Sequence, residues 1–514
     1  MNKRYYEPIP CGAPLPLDNP HAFSVSMPTY EDVANYENGV EAVLERIKTA
    51  YPRIEIHPYV KMAAQYVRGE KGLDAAGSAY ILPSLWAARH VATLSVTSPQ
   101  LYEYGGYALA YFPADTSDTP FAYYSFMRHC GYMIYSREAE DFLRAQGADL
   151  PEWREDYNRS DPAERILAML HEGYGPGEII LCSSGMNAIY AVYAALKETF
   201  PVERDIFIQY GWIYTDSISI LLKCSGRFHQ IGRVTDFAAL ESFLAENGDR
   251  VAAILTETLS NPLLQAPDLP ALAELARRFG FMVILDNTFA TPWNATVTPY
   301  ADVIIESLTK FASGRGDCMA GAVIIPPASR LPRATVAAML PYIIPLGGRD
   351  LQRLGQTIGG YRARVETVNR NAAVIVNYLA KHPRVSALHH AYAAATCELY
   401  RKIASVDNGY GGVVSFVVDG DFASFYDNLD LPKGPSLGCD FPLAMAYTLM
   451  AHWDMVGTPE GQEKLAEMDI SPWLIRLSVG EDAPELVISA LERALAALSC
   501  AEHRSRKNAL DVSA

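Results

Sequence analysis

The segment Ser307-Leu308-Thr309-Lys310 places a lysine directly after two small hydroxyl residues. Upstream, the apolar run Val283-Ile284-Leu285 ends in Asp286, followed by Asn287-Thr288-Phe289. A lysine amine can form a Schiff base with a carbonyl, and neighbouring hydroxyls can bind a phosphate. A strand-end aspartate can pair with a ring nitrogen and keep it protonated, so that the ring draws electrons from a bound amino acid. These are the groups that pyridoxal phosphate (PLP) requires. Lys310 alone would read as a solvated loop residue. Its pairing with Asp286 carries the argument.

Further candidates lie along the chain. Cys182-Ser183-Ser184-Gly185-Met186-Asn187-Ala188 joins a strand to a helix, and reads either as an anion-binding helix start or as an ordinary tight turn. Tyr210-Gly211 follows another strand end, where the ring can stack on a cofactor or pack into a core. Tyr157-Asn158-Arg159-Ser160-Asp161-Pro162 carries two phosphate-binding residue types on a loop, or is a solvated turn. Arg476 is embedded in Leu474-Ile475-Arg476-Leu477-Ser478-Val479-Gly480. A charge within an apolar strand predicts a carboxylate partner, internal or from a substrate.

The elements that must position these residues alternate between strand and helix patterns. Strands are expected at 179–182, 205–209, 251–256, 281–285, 303–305 and 322–325, with helices at 187–200 and 269–279. That alternation predicts a mostly parallel sheet covered on both faces. Beyond it, a long helix at 361–381, strands at 412–418 and 474–479, and a closing helix at 484–498 predict a smaller α+β unit. Asp482 followed by Glu485 reads as a capping box for the closing helix. Helical stretches are expected within 40–50 and 73–96. The chain thus divides into an N-terminal extension (1–150), a large cofactor-binding domain (151–340) and a C-terminal small domain (341–514).

Bulk properties narrow the class. Half of the 514 residues are hydrophobic, ample for a core, and the formal net charge of −16 argues against sequence-independent nucleic-acid binding. The eight cysteines form no Cys-x-x-Cys pair and no metal-ligand spacing, so free thiols in a reducing cytoplasm and no metal site are expected. No secretory signal and no apolar run of membrane-spanning length is evident.

Thr256-Glu257-Thr258-Leu259-Ser260-Asn261-Pro262-Leu263 and Asp286-Asn287-Thr288-Phe289-Ala290-Thr291-Pro292 resemble two motifs of the Cys/Met-metabolism PLP enzymes, in the same order as the lysine segment. The likeness runs from about Tyr157 to Leu498. It is closest to fungal-type cystathionine gamma-synthases, whose N-terminal extension is similar to His21-Ala22-Phe23-Ser24-Val25-Ser26-Met27-Pro28-Thr29 and Tyr51-Pro52-Arg53. Gly434-Pro435-Ser436-Leu437-Gly438 and Ser313-Gly314 resemble the same branch.

The resemblance implies a PLP fold-type I enzyme, aspartate aminotransferase-like. It implies that Lys310 holds the cofactor and moves protons, and that Asp286 pairs with the ring nitrogen. Tyr210 would stack on the ring and assist as acid or base. Gly185, Met186, Ser307 and Thr309 would bind the phosphate, with Tyr157 and Arg159 reaching it from a second subunit of a homodimer or homotetramer. Asn261 would lie near the ring oxygen, and Ser436 and Arg476 would hold the substrate carboxylate. Three segments depart from the family pattern. The Tyr157–Pro162 loop is one residue short and lacks its asparagine, and Tyr135-Ser136-Arg137 offers a rival Tyr-x-Arg far from Gly185. Ser436-Leu437-Gly438-Cys439 ends in cysteine rather than glycine, and Gly316-Asp317-Cys318 follows the lysine loop.

The activity so implied is γ-replacement on an activated homoserine, with loss of the γ-substituent and addition of a nucleophile. The alternative is a γ- or β-lyase acting on a sulfur-containing or halogenated amino acid. A catalytically silent binding module would not need Lys310, Asp286 and Arg476 together.

Overall fold

The computed structural model describes residues 3–49, 51, 54–116, 119–155, 157 and 160–498. A short ribbon opens the chain, with β1 (Pro14–Leu15) antiparallel to β2 (Ser24–Val25). Next comes a three-stranded antiparallel sheet of β3 (Ser78–Leu82), β4 (Gln100–Tyr104) and β5 (Tyr107–Phe112), in the order β3-β5-β4.

The main sheet has seven strands: β6 (Glu178–Cys182), β7 (Ile206–Tyr210), β8 (Arg227–Ile231), β9 (Val251–Glu257), β10 (Met282–Asp286), β11 (Val303–Glu306) and β12 (Gly321–Ile325). Their order is β6-β12-β11-β10-β9-β7-β8, and β12 alone runs antiparallel to its neighbours. β9 is buried along its whole length, as an apolar run in a sheet covered on both faces must be. Its Leu255 and Thr256 pair with Ile284 and Leu285 of β10, so that Asp286 faces Glu257 across the strand ends. Both carboxylates therefore lie at the carboxyl edge of the sheet, where ligands of open α/β sheets bind.

The helix Leu269–Phe279 crosses back over the sheet. Asp268 accepts from the Ala271 N–H at 3.3 Å at its start, and Gly280, at φ +77°, ends it in the left-handed conformation. Leu272, Leu275 and Ala276 fill the interior face between those signals. A second, four-stranded antiparallel sheet follows, in the order β13-β14-β16-β15: β13 (Val385–His389), β14 (Val413–Val418), β15 (Leu443–Ala446) and β16 (Ile475–Ser478). The helices Tyr361–Leu379 and Pro484–Ala497 pack on it. No helix among the described residues is long and apolar enough to cross a membrane.

The fold class expected from the sequence is therefore present: a large, mostly parallel sheet with helices and a smaller α+β part. Several local readings need correction. Asp482 is not a cap; the residue before the last helix is Ala483, with no side-chain capping bond, and the Asp482 carboxylate accepts from the Tyr6 hydroxyl at 3.0 Å. The stretch 40–50 contains only the short helix Glu41–Leu44. Within 73–96 the helix is confined to Leu85–Ser95, capped by Ser84, and β3 precedes it. The strand β8 and the sheet β3–β5 were not legible, because Arg227-Phe228-His229-Gln230-Ile231 and the tyrosine-rich segments show no sustained apolar period.

A buried ionic network fastens the first 155 residues to the rest. The Arg137 guanidinium, 1% exposed, donates to Glu155 at 2.6 and 2.9 Å and to Asp350 at 2.8 Å, and lies 3.7 Å from Asp317. Burial opposes its charge, but the Glu155, Asp350 and Asp317 carboxylates hold it protonated. Arg353 pairs with Asp317 at 2.7 Å, Arg349 with Glu155 at 3.0 Å, and His21 with Glu140 at 3.1 Å. Arg137 thus belongs to this network, and the rival Tyr135-Ser136-Arg137 offers no spare guanidinium for a phosphate. Removing one member of a buried network strands its partners. Arg137→Ala should lower stability by about 3–5 kcal/mol, read as a lower urea midpoint; a loss under about 1 kcal/mol would show that the carboxylates find other cations.

Candidate active site

Lys310 lies in the tight turn that follows β11. The Ser307 N–H donates to the Thr288 hydroxyl at 2.8 Å, and the Lys310 and Gly314 N–H groups bond within the turn at 3.1 and 2.8 Å. The side chain is 7% exposed. Its amine donates to Ser436 Oγ at 2.8 Å and to the Tyr51 hydroxyl at 3.2 Å. It also sits 4.4 Å from the Tyr51 ring centre and 5.8 Å from that of Phe23. Such ring faces attract a cation. Ser436 is held at φ +90°, a strained conformation for a residue with a side chain.

The cavity around this amine is lined by Ser184, Gly185, Met186, Asn261, Asp286, Ser307, Ser436 and Arg476, among others. These residues, scattered over nearly three hundred positions of sequence, converge on one site. Arg476 donates to Asn261 Oδ1 at 3.0 Å and to the Ser436 carbonyl at 2.9 Å, and lies over the Tyr447 ring at 5.2 Å. Asn261 is fixed by its N–H, which donates to Glu257 at 2.9 Å; the other oxygen of Glu257 accepts from the Tyr214 N–H at 2.8 Å. Burial, with Asp286 nearby, pushes the Glu257 carboxyl well above its ordinary range.

The residues present fit PLP. Asp286 is a carboxylate inside the cavity whose Oδ1 accepts from the Thr288 N–H at 2.8 Å. Burial raises its pKa, the Thr288 hydrogen bonds offsetting only part, so a protonated ring nitrogen would supply the charge that this carboxylate lacks. At the other end, the helix Gly185–Thr199 begins in the cavity, its first turn capped by Ser184, which accepts from the Asn187 N–H at 3.2 Å. A Cβ on Gly185 would come within 3.0 Å of Ser307, so only glycine leaves the open cradle that a phosphate needs.

Two expected residues stand elsewhere. Tyr210 does not line the cavity. As the last residue of β7 it shares a face with Ile206 and Ile208, its ring lies in the core, and its hydroxyl donates to the Val234 carbonyl at 2.5 Å. Tyr214, four residues on and just before the helix Thr215–Cys224, lines the cavity instead. The Thr309 hydroxyl bonds the Ala320 backbone, at 2.9 and 3.2 Å, rather than facing the cradle. Tyr157 bonds Glu155 and accepts from Arg349 at 3.2 Å, away from this chain's own cavity. Arg159 lies outside the described residues. Sequence reasoning missed Tyr214, Glu257 and Tyr51. The first could have been found as the aromatic residue at a helix start beside a strand's carboxyl end; nothing in the sequence places Tyr51 against Lys310.

A PLP-compatible cleft at the carboxyl edge of a mostly parallel sheet defines a fold-type I PLP enzyme. The family model for Cys/Met metabolism PLP-dependent enzymes matches residues 154–496, and the chain belongs to that family. It is 34% identical over 482 residues to the L-2-amino-4-chloropent-4-enoate dechlorinase/desaturase of Streptantibioticus cattleyicolor, covering 91% of this chain and 94% of that protein. It is 33% identical over 327 residues to the cystathionine gamma-synthase of Neurospora crassa, covering 62% of this chain and 52% of the relative. The cystathionine gamma synthase of Xanthomonas oryzae superimposes with a TM-score of 0.57 at 27% identity, over 68% of this chain and 90% of the other.

If Tyr214 rather than Tyr210 supports the cofactor ring, Tyr214→Ala should weaken PLP binding about tenfold, the size of a lost aromatic contact. Tyr210→Phe should leave PLP affinity unchanged. Fluorescence titration of apoprotein with PLP measures both, and the reverse pattern would return Tyr210 to the site. Lys310→Ala should abolish turnover and prevent borohydride from fixing the cofactor to the chain.

Proposed function

We propose that this enzyme expels a γ-substituent, and specifically a halide, from an amino acid with a short apolar side chain, without an added nucleophile. The observation that carries this reading is the wall of the cavity. Ile54, Met186, Ile189, Phe289, Met445 and Met450 surround the space beside Lys310. Among the described residues that line it, the only cationic side chains are Lys310 and Arg476. Arg476, held by Asn261 and the Ser436 carbonyl, suits the substrate's own carboxylate. A succinyl leaving group or an incoming cysteine brings a second carboxylate, and an uncompensated buried charge costs several kcal/mol. A carbon-bound halide carries no such cost. The similarity to the Streptantibioticus cattleyicolor dechlorinase/desaturase, which extends over 91% of this chain, supports the same substrate class.

PLP, when bound, withdraws the electron pair left on the substrate's Cα. The remaining work falls to the protein. Asp286 keeps the ring nitrogen protonated. Arg476 fixes the carboxylate, so that the Cα and Cβ hydrogens face the Lys310 amine. Ser436, 2.8 Å from Nζ, holds the amine in place while it takes the Cα proton, gives that proton up, and then takes the Cβ proton. The halide leaves with its bonding pair as the Cβ–Cγ double bond forms. The nearly complete burial of Lys310 limits water, and so limits loss of the product to hydrolysis.

A second reading, γ-replacement with cysteine, is supported by the likeness to the Neurospora crassa cystathionine gamma-synthase. It shares every step up to departure of the γ-substituent. PLP-loaded enzyme should therefore be given a γ-chlorinated amino acid, O-acetylhomoserine and O-succinylhomoserine, each with and without cysteine. Chloride release at a rate independent of cysteine is expected, with an unsaturated or 2-oxo acid product by mass spectrometry. Cystathionine formed from an acylhomoserine, with no chloride released, would overturn the proposal in favour of replacement.

A further inference from the structure

Tyr51 belongs to the first 150 residues, outside the segment that the family model matches. Its hydroxyl nevertheless lies 3.2 Å from the Lys310 amine. Its position is built rather than incidental. Phe23 packs against its ring with centroids 6.1 Å apart, and the Phe23 N–H donates to the Gly316 carbonyl at 3.1 Å, beyond the lysine turn. The next described residue, Ile54, lines the same cavity and bonds back to Tyr51 through its N–H at 2.7 Å.

Several of the other hydroxyls around the cavity have different employment. Tyr447 donates to the Asn261 carbonyl at 3.3 Å, and Tyr214 to Asp216 at 3.2 Å. Ser184 caps a helix in the phosphate cradle, and Ser436 accepts from Lys310. Tyr51 and Ser436 both accept from Lys310, and Tyr51, which lines the cavity beside Ile54, can donate its own O–H hydrogen into it. Loss of a γ-substituent needs a donor there, since a halide bound to carbon is a poor hydrogen-bond acceptor and a departing halide ion is a good one. A donor that engages only the departing ion stabilises the transition state over the ground state.

Resting on the elimination reading above, we propose that Tyr51 is a catalytic residue that hydrogen-bonds the departing γ-substituent through its hydroxyl. The Cβ–H pair becomes the Cβ=Cγ bond while the proton passes to Lys310 Nζ. The Cγ–X bond breaks, X leaves with both electrons, and the Tyr51 O–H receives it. The N-terminal extension thereby supplies the group that selects the leaving group.

Tyr51→Phe keeps the ring over the lysine and removes only the hydroxyl. PLP-loaded wild-type and variant enzymes should be compared on γ-fluoro, γ-chloro and γ-bromo amino acids and on O-acetylhomoserine. The variant should lose about 10- to 100-fold in kcat on the fluoride and chloride, as for one lost donor to a developing anion, and less on the bromide, whose departure needs less help. Exchange of the Cα hydrogen of norvaline into deuterated water should stay within about threefold of wild type, because Lys310 alone serves that step. The variant's visible cofactor spectrum should match wild type, and the absorption change on titration with sodium chloride should need a higher halide concentration. An equal loss on every leaving group, a parallel loss of norvaline exchange, or no loss at all would overturn the assignment. If only O-acetylhomoserine reacts, the halide reading fails. A Tyr51→Phe deficit in acetate release with intact norvaline exchange would still support Tyr51, and unimpaired acetate release would sink it.

Discussion

The structure depends on keeping one amine buried and reactive. An ammonium taken from water loses several kcal/mol of solvation unless nearby groups replace it. Around Lys310 the replacements are the Ser436 hydroxyl, the Tyr51 hydroxyl, and the faces of Tyr51 and Phe23. These arrive from two distant stretches of chain, one preceding β15 of the small sheet and one within the first 51 residues, and meet the lysine turn between β11 and β12. Each adds a contact that the others do not make, so the full set of partners is present only when all of these stretches are docked.

That requirement accounts for the segments in which the chain leaves its family's pattern. Gly316 has φ +66°, and a Cβ there would stand 2.9 Å from the Cys439 sulfur. Its carbonyl receives the Phe23 N–H, and the following Asp317 accepts from Asn19 at 2.9 Å and pairs with Arg353. Cys439 is packed with Leu15, Phe441 and Tyr5, and the ring of Tyr5 stacks on Phe441 at 4.3 Å. A Cβ on Gly434 would collide with the Val25 carbonyl. The unusual Gly316-Asp317-Cys318 and Cys439-Asp440 sequences are thus the receiving surface for the N-terminal extension. They bear on the site through Phe23, whose N–H the Gly316 carbonyl holds.

The contrast between legible and illegible features follows from the range of the forces involved. β9 and β10 are continuous apolar runs that end in acidic residues, and local pattern alone marks both the strands and the carboxylates at their ends. Lys310, Ser307 and Gly185 sit in short turns whose residue types reflect the local backbone. Tyr210 misled because the β7 side-chain alternation, counted back from the buried Ile206 and Ile208, points it into the core; the turn at Gly211 then carries the chain on to Tyr214. Asp482 misled because a tertiary partner, Tyr6, competes for the carboxylate that would cap the helix. The position of Tyr51 is fixed by contacts across more than two hundred and fifty residues, which no local period encodes.

The two ends of the cavity have different origins, and this divides the work. Asp286, Gly185, Ser307, Asn261 and Arg476 all fall within residues 154–496, the part that the whole family shares. In the function proposed above they hold what all such reactions have in common, the cofactor and the amino-acid carboxylate. The side chains lining the cavity include Tyr51 and Ile54 from outside that part. The similarity to the Neurospora crassa enzyme covers 62% of this chain, whereas that to the Streptantibioticus cattleyicolor enzyme covers 91% and so must reach well into the extension. In the proposed reaction, proton removal at Cα rests on the shared residues, and the fate of the γ-substituent on a wall that the extension helps to build. A change in the extension would then alter the leaving group without disturbing how the cofactor is held.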